Sequence, residues 1–445
     1  MWNRVVADVM LLYKILFNLL AVVGSPFIVL MLVFSKKRRR TFFYRSGIRT
    51  LLKGLHPLPH HTKPIWIHAL SVGEVLSAAP LVHALKKKFP EIPLILSATT
   101  YTGYRIATAR FQPLLKAVFY FPFDMTFSVR RIAAEADPGL VIIVETDLWP
   151  NFLYEMKRRR VPTILINARM SPASFRGYRR FRIFTAPVFS RISHICAQSG
   201  EDAEKFLKLG VSSENITLTG NIKFDQADGR RSLHDIAVLK QRLDIPSDRP
   251  VFLAGSTHEG EEGLFQNAFL RLKEDFSDLF MIIVPRNPHR APSICQEFRS
   301  AGLNAGIMDA EKNGVLHENP DVIVVDRIGV LKDLYALADV AFVGGSLVNA
   351  GGHNPLEPAA YSKPILFGPD MSDFEEIAQL LIKRQAGTRV HGEKTLFDAV
   401  HTLLSDPGKA AGMGARAYSL FCANRGGTDK TVAVVKAFIE AQETG

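Results

Sequence analysis

Cysteine is scarce in this 445-residue chain, and its spacing excludes the simplest cysteine-based sites. Cys196, Cys295 and Cys422 are odd in number and lie far apart in the sequence. A disulfide framework or a cysteine-rich zinc site needs several cysteines at short, regular spacing. Their absence favours a protein of a reducing compartment.

Acidic side chains are missing from a long N-terminal stretch. No Asp or Glu occurs between Asp8 and Glu74, whereas the basic run at 36–40 continues to Lys53. The whole chain carries a formal net charge of +12 at pH 7. Such a surplus predicts an anionic neighbour, which can be a phosphate-bearing ligand, an acidic lipid surface or a nucleic acid.

Charge is also absent from residues 15–34, an apolar segment of about the length that crosses a bilayer. We therefore predict a membrane anchor helix within residues 1–35. A signal peptide carries basic residues before its apolar core, but here they follow it, which places the body of the protein on the cytoplasmic side. Gly24-Ser25-Pro26 leaves open whether the anchor spans the bilayer or lies in the interface, and a buried core helix is the non-membrane alternative.

Short apolar runs alternate with amphipathic stretches after residue 64, which is typical of parallel α/β sheets. The runs predicted as buried strands are 65–70, 93–99, 140–144, 163–168, 194–198, 216–220, 251–255, 281–285, 322–326, 340–344 and 364–368. One helix is predicted at 74–89. The polar stretch 226–235 is typical of a linker. We therefore expect two α/β domains, at 36–225 and 226–425, with a ligand cleft between them.

Standard phosphate-binding glycine motifs are absent, since the chain has neither the Rossmann glycine spacing nor a P-loop. The pairs Gly344-Gly345 and Gly351-Gly352 still predict backbone N–H groups that approach an anion closely. Glu357 follows them, and its carboxylate is a candidate to accept hydrogen bonds from a ribose diol, as carboxylates do in dinucleotide sites. Flexible turns without a ligand are the alternative.

Three carboxylates follow predicted strands. Glu74 lies in the first turn of a helix capped by Ser71, where it is either a general base facing the ligand or a helix-stabilising charge. Glu145 and Asp147 are one residue apart, and they are either metal ligands or capping residues before a helix. A zinc-binding motif of the His-Glu-x-x-His type is excluded at His258, because no second histidine follows at helical spacing.

Basic side chains suggest phosphate sites along the chain. Arginines concentrate at 169–182, and Arg286 ends a strand. Lys223, just after another strand, is instead a candidate for facing a developing negative charge. Guanidinium groups pair with two phosphate oxygens, although each of these residues is also compatible with an ordinary solvated surface. Ser256 and Thr257 are expected to cap a helix with their hydroxyls.

Seven segments, taken together, resemble the bacterial 3-deoxy-D-manno-octulosonic acid (Kdo) transferases, which act on lipid A precursors. They occur in order across nearly the whole chain after the apolar segment. The segments are HALSVGEV (68–75), VETDLWPN (144–151), NARMSPASFRGYRR (167–180), GNIKFD (220–225), STHEGEE (256–262), VPRNPHR (284–290) and GGHNPLEPAAYSKPILFGP (351–369).

The resemblance implies an inverting glycosyltransferase of the GT-B type, with two Rossmann-like domains flanking a cleft. The first domain would bind the acceptor and the second CMP-Kdo, and the amphipathic C-terminal stretch at 426–445 would return to the first domain. The protein would act at the cell inner membrane with its catalytic domains on the cytoplasmic side. Its partners would be CMP-Kdo, the lipid A precursor and anionic lipid, without nucleic acid, metal or cofactor.

The same resemblance assigns roles to particular residues. Glu74 would be the general base, and Glu145 and Lys223 would stabilise the transition state. The residues that would contact CMP are Pro285, Arg286, Ile328, Gly329, Val330, Asn354, Pro355, Leu356 and Glu357. Val330 departs from the family, which usually has a glutamate there, so the resemblance does not support a side-chain contact at this position but leaves a backbone contact open.

Two other classes of protein remain open on the sequence. A GT-B relative that uses UDP-sugars, or a nucleotide-sugar epimerase, shares the two-domain plan and would prefer UDP to CMP. A membrane-tethered nucleic-acid-binding protein would explain the positive charge and would bind DNA or RNA with strong salt dependence.

Overall fold

The computed structural model describes residues 36–49, 52, 62–226, 233–243, 245–246, 248–308 and 320–443. The anchor predicted within 1–35 lies outside these ranges. In the described ranges, no helix has both the length and the apolar composition that a bilayer crossing requires.

The chain divides into two compact units. Unit 1 runs up to Gln226 and also contains the chain from Arg425 onward, whereas unit 2 covers 227–424.

Unit 1 is built on one parallel sheet with helices on both faces. Its strands are β1 Ile65–Ala69, β2 Leu94–Ala98, β3 Ala117–Tyr120, β4 Leu140–Val144, β5 Thr163–Ala168, β6 His194–Ala197 and β7 Ile216–Leu218. Its helices are α1 Lys36–Arg45, α2 Val72–Ser77, α3 Ala79–Lys88, α4 Tyr101–Phe111, α5 Thr126–Ala136, α6 Pro150–Arg158, α7 Pro172–Arg180, α8 Arg182–Phe189, α9 Gly200–Lys208 and, at the end of the chain, α18 Gly427–Glu443. Single 3₁₀ turns occur at Ser213–Asn215 and Ile222–Gln226.

The strand order of unit 1 is β3-β2-β1-β4-β5-β6-β7, with every neighbouring pair parallel. The central strands are buried along their whole length, because helices cover both faces, and this explains their uninterrupted apolar sequences. The direction of strand succession reverses between β1 and β4. In open parallel sheets, ligands bind outside the carboxyl ends of the strands at such a switch point.

The C-terminal helix α18 belongs to unit 1. Its Val432 and Val435 share one apolar core with Val82 of α3 and the strands behind it. The Asp225 carboxylate accepts hydrogen bonds from the N–H groups of Gly426 (2.8 Å) and Thr428 (2.7 Å), and so fixes the start of this helix. Helix α18 thus packs on unit 1 through apolar contacts.

The prediction of one helix at 74–89 is wrong. The structure has two helices, α2 and α3, which meet at Ala78. Pro80 lies in the first turn of α3, where its missing N–H costs nothing. Inside a continuous helix the same proline would remove a backbone hydrogen bond and clash with the preceding turn, so the helix restarts instead.

Unit 2 repeats the architecture. Its strands are β8 Val251–Thr257, β9 Phe280–Pro285, β10 Ala305–Met308, β11 Val322–Val325, β12 Val340–Val343, β13 Ile365–Phe367 and β14 Thr388–Arg389. Its helices are α10 Leu233–Arg242, α11 Glu262–Asp275, α12 Ala291–Ser300, α13 Leu331–Leu334, α14 Leu356–Ala359, α15 Glu375–Lys383, α16 Glu393–Ser405 and α17 Pro407–Asn424, with 3₁₀ turns at Pro288–Arg290 and Tyr335–Leu337.

The strand order of unit 2 is β10-β11-β9-β8-β12-β13-β14, again fully parallel. Its switch point lies between β8 and β12. The predicted linker at 226–235 is partly helical, because α10 begins at Leu233; residues 227–232 lie outside the described ranges.

Candidate active site

Glu74 lies just beyond the carboxyl end of β1, in the first turn of α2. Ser71 caps this helix, as predicted, and its Oγ accepts the Glu74 N–H at 3.4 Å. The Glu74 carboxylate reaches back to accept the Leu70 N–H at 2.5 Å. Burial raises the pKa of Glu74 to about 7, the Leu70 hydrogen bond opposes this, and the charges of Glu145 and Asp147 add to it.

Glu145 follows β4, the neighbour of β1, and lies between two cations. Its carboxylate is 3.8 Å from Lys223 Nζ and 3.3 Å from Arg169 Nε. The backbone of Glu145 has a φ of 60°, a left-handed conformation that is uncommon for residues other than glycine. This conformation lets the chain turn at the strand end while the side chain meets both cations. The structure thus brings together Glu145 and Lys223, which the sequence separates widely.

Asp147 makes different contacts from Glu145. It accepts a hydrogen bond from the Trp149 indole N–H at 2.7 Å, and it lies 3.3 Å from Nε2 of the fully buried His68. His68 stacks on Phe121, with ring centroids 3.7 Å apart. Glu145 is therefore engaged by cations and Asp147 by aromatic residues, and the two face different partners.

The capping alternative for Glu145 and Asp147 is wrong, because Asp124 provides the cap of α6. Its buried carboxylate accepts the N–H groups of Asn151 (3.0 Å) and Phe152 (2.8 Å). Burial raises the pKa of Asp124 to about 7, although both hydrogen bonds lower it. Asp124 is far from α6 in the sequence, so no local capping pattern could have revealed it.

No cluster of three or more His, Cys, Asp or Glu side chains suited to a metal ion occurs in the described part of the chain.

In unit 2, Arg286 begins the turn after β9. Pro285 is the last residue of that strand, and the Arg286 side chain is exposed. The Arg286 N–H donates to the Thr257 carbonyl at 2.9 Å, which ties the turn to the end of β8.

The other predicted CMP contacts lie in two further segments of unit 2. Ile328 is 80% exposed, and Gly329 has a φ of 93° in the turn before α13. The Val330 residue forms the N-cap of that helix. Asn354, Pro355, Leu356 and Glu357 form the start of α14, where Asn354 Oδ1 accepts the Leu356 N–H at 3.1 Å.

The expectation that the glycine loop, residues 344–352, offers its N–H groups to a ligand is wrong for most of the loop. The carboxylate of Glu261, itself fully buried, accepts the N–H groups of Gly345 (2.7 Å), Ser346 (3.1 Å) and Leu347 (2.9 Å). The Gly351 N–H donates to Asp370 at 2.7 Å. An internal carboxylate thus occupies the place that the glycine spacing suggested for an external anion.

The predicted caps at Ser256 and Thr257 are also wrong. Thr257 is still in β8, and its Oγ1 donates to Glu262 Oε1 at 3.0 Å. Helix α11 begins at Glu262, which also forms an ion pair with Arg290 at 2.8 Å. Glu261 and Glu262 of this segment are therefore buried structural groups.

Sequence reasoning missed a histidine pair at the switch point of unit 2. Nε2 of His258, just beyond β8, is 3.0 Å from Nε2 of His353, which follows β12. Each histidine lies in a segment that the sequence singled out, but only the adjacency of β8 and β12 brings them together.

The arginines of 176–182 lie on an exposed surface of unit 1. Phe181, Ile183 and Phe184 are exposed beside them, at 56%, 58% and 41%. We call this the aromatic–arginine surface, formed by Arg176, Arg179, Arg180, Phe181, Arg182, Ile183 and Phe184 of α7, α8 and the residue between them. Arg169, by contrast, pairs with Glu145.

Two parallel-sheet α/β units of this kind resemble the GT-B glycosyltransferases. Solved structures with this fold include the UDP-GlcNAc 2-epimerase of Neisseria meningitidis (TM-score 0.52, 13% identity, 84% of this chain and 100% of that chain). The S. aureus MnaA–UDP structure is similar (TM-score 0.51, 15% identity, 85% of this chain and 97% of that chain). At this identity the likeness concerns the fold.

The family follows from the sequence comparisons. Residues 38–226 match the family model described as 3-deoxy-D-manno-octulosonic-acid transferase (kdotransferase). The transferase of that name from Haemophilus influenzae is 33% identical over 84% of this chain and 87% of its own length. That of Chlamydia pneumoniae is 30% identical over 84% of each chain. The chain belongs to the Kdo transferase family, and it is a glycosyltransferase.

Proposed function

We propose that the protein moves Kdo from CMP-Kdo to a hydroxyl group of a lipid A precursor, with inversion at the anomeric carbon. The observation that carries this proposal is the grouping at the switch point of unit 1. There, a carboxyl group with a pKa of about 7 lies within electrostatic reach of the Glu145–Lys223 ion pair. A general base works best when its pKa is near the operating pH.

In the proposed reaction, Glu74 accepts the proton of the acceptor hydroxyl as its oxygen bonds to the anomeric carbon of Kdo. The bond from that carbon to the phosphate oxygen breaks, and CMP leaves with the electron pair. The sugar centre becomes cation-like, as in other glycosyl transfers. Glu145 offers a negative charge to that centre, and Lys223 offers a positive one to the carboxylate of Kdo.

Unit 2 is proposed to hold the donor. Arg286 is proposed to pair with the phosphate, and the backbone around Gly329 and the start of α14 are proposed to contact the nucleoside. The Glu357 carboxylate is the candidate partner of the ribose diol. No step is assigned to the N–H groups of the glycine loop that Glu261 and Asp370 occupy.

The decisive experiment is mass spectrometry of the products formed from CMP-Kdo and a tetraacylated lipid A precursor by the full chain. A product heavier by whole Kdo units supports the proposal and gives the number of units added. Turnover of a UDP-sugar instead would favour a GT-B relative that uses UDP-sugars. Tight, salt-dependent binding of DNA or RNA without transfer would favour a nucleic-acid-binding protein.

We further propose that the protein works at the cytoplasmic face of the inner membrane and that the aromatic–arginine surface contacts anionic lipid. Exposed aromatic side chains beside arginines are typical of surfaces that enter the interface of a bilayer. Helix α7 also borders the active site: burial first and the charge of Asp147 second raise the pKa of Tyr178 on this helix. An acceptor held in the bilayer would thus reach the base from this side.

Replacing Phe181 and Phe184 together with serine should raise the KM for acceptor in anionic vesicles by about tenfold, because roughly 1.4 kcal/mol of apolar burial is lost. KM for acceptor dispersed in detergent should not change. Leu218→Ser, which changes another exposed apolar residue of unit 1, is the control. An equal KM increase in vesicles and in detergent would contradict a role in lipid contact.

The rate should depend on pH through Glu74. Only the ionised carboxylate accepts a proton, so kcat should rise with pH up to about 7 and then level off. Asp147→Asn removes one of the charges that raise this pKa, so the rising limb should move to lower pH. We would measure kcat from pH 5 to 9 for the wild type and for Asp147→Asn, at saturating substrates. If the rising part of the two profiles lay at the same pH, the titrating group would not be Glu74.

A further inference from the structure

The histidine pair of unit 2 has no role in the reaction as described so far. The rings of His258 and His353 are nearly parallel, with an interplanar angle of 20° and centroids 5.2 Å apart. Both pack against Gly345: a Cβ added there would lie 3.1 Å from His353 Cδ2 and 3.2 Å from His258 Cδ2. The glycine therefore makes room for the pair at the switch point of the sheet, where ligands bind.

Cationic side chains remain the natural partners for an anion at this edge of the sheet. Glu261 already accepts the N–H groups of Gly345, Ser346 and Leu347, and Arg290 is paired with Glu262. Arg286, in contrast, is exposed, and its charge acts on His353. A phosphate bound by Arg286 would thus lie within electrostatic reach of the histidine pair.

We propose that His258 and His353, together with Arg286, bind the phosphate of the donor nucleotide, and that the pair opens and takes up one proton from solvent when the phosphate binds. This inference rests on the proposed function, because it names ligands of the same donor.

The short contact between the two rings explains the proton uptake. At 3.0 Å one Nε2 must donate and the other must accept, so the closed pair shares a single proton between these atoms. A second proton would set one N–H against the other and separate the rings. Each ring would then have an N–H free to donate to a phosphate oxygen, in a charge-assisted hydrogen bond.

The surrounding charges keep the pair neutral until an anion arrives. Burial first, then Arg286 and His258, lower the pKa of His353 to about 4. A phosphate group, which has one negative charge in CMP-Kdo and two in free CMP, would oppose the effect of Arg286 and favour the protonated ring.

The other charged groups near this edge are carboxylates with their own partners. Glu261 accepts the backbone N–H of His258 at 2.8 Å. The Asp370 carboxylate, beyond β13, accepts the Gly351 N–H, and the backbone N–H of Asp373 donates to the Gly351 carbonyl. The hydrogen bond from Gly351 lowers the pKa of Asp370, so this carboxyl group stays ionised at neutral pH.

Calorimetry of the full chain with CMP and with cytidine tests the proposal, since the two ligands differ by the phosphate. Measurements at pH 7.5 in two buffers of different ionisation enthalpy give the number of protons taken up. We expect about one proton with CMP and none with cytidine. His353→Asn should weaken CMP binding by about tenfold to hundredfold and abolish the uptake, with cytidine affinity unchanged.

The second variant is His258→Asn, for which the same result is expected, and His401→Asn is the matched control. His401 is a half-buried histidine of α16 that lies 3.3 Å from Asp275. Wild-type affinity and proton uptake in both pair variants would overturn the inference, and so would an equal loss for CMP and cytidine. Failure of the wild-type chain to bind CMP would contradict the proposed function as well.

Discussion

Replacing Glu74 with glutamine should lower kcat by about 10²- to 10⁴-fold, the range typical of a lost general base. Glutamine keeps the shape of the side chain and retains an oxygen that can accept the Leu70 N–H, so the start of α2 should stay intact. It cannot take up the proton of the acceptor hydroxyl. CMP release from CMP-Kdo, followed in the presence of a lipid A precursor, measures the loss.

Two controls separate catalysis from folding in this experiment. Glu91→Gln changes an exposed carboxyl group of the same unit and should leave kcat unchanged. Glu74→Asp keeps the carboxylate but withdraws it by one methylene, so its rate should lie between those of the wild type and Glu74→Gln. A folded Glu74→Gln protein that turns over at nearly the wild-type rate would remove Glu74 as the base and leave it as a helix-capping residue.

Replacing Glu261 with alanine should destabilise unit 2 by about 3–5 kcal/mol. The carboxylate accepts four backbone N–H groups, those of His258, Gly345, Ser346 and Leu347, at 2.7–3.1 Å. Its removal leaves these donors without an acceptor in the interior, and each such loss costs about 1–3 kcal/mol, although the costs are not fully additive.

The measurement must distinguish the two units. All three tryptophans, Trp2, Trp66 and Trp149, precede residue 227, so tryptophan fluorescence does not report on unit 2 directly. Hydrogen exchange of peptides covering 251–257 and 340–347 does. We expect faster exchange there and unchanged exchange at 140–144 in unit 1.

Glu259→Gln is the matched control for Glu261, since Glu259 is an exposed glutamate of the same turn. It should exchange like the wild type. Wild-type exchange in Glu261→Ala would contradict the view that this carboxylate holds the glycine loop in place.

Much of the fold could be predicted from continuous apolar runs. The predicted strands at 140–144 and 163–168 match β4 and β5 at both ends, because a strand buried on both faces needs apolar residues throughout. The strands β3, β10 and β14 were not predicted. They lie at the sheet edges and are at most four residues long. Such short apolar runs are hard to distinguish from the surrounding loops.

The site also has parts that could be predicted from the sequence and parts that could not. Glu74 and its capping serine follow from a local pattern, since both lie within one helix start. The Glu145–Lys223 pair, the Asp124 cap and the His258–His353 pair each join residues from segments that follow different strands. A local sequence pattern does not indicate that residues so far apart in the chain are neighbours in the structure. The glycine loop is the instructive failure: the spacing correctly indicated a cluster of N–H groups around an anion, but the anion is Glu261.

By itself, the sequence determined the parallel α/β character of both units, the strands at their centres and the family, because apolar runs and ordered motifs are local properties of the chain. The tertiary structure alone decided which charges meet. Strand order sets neighbours across the sheet, and burial then shifts the pKa of Glu74 and gives Glu261 an internal role, since electrostatic interactions depend on distance and solvent access, which the sequence does not specify.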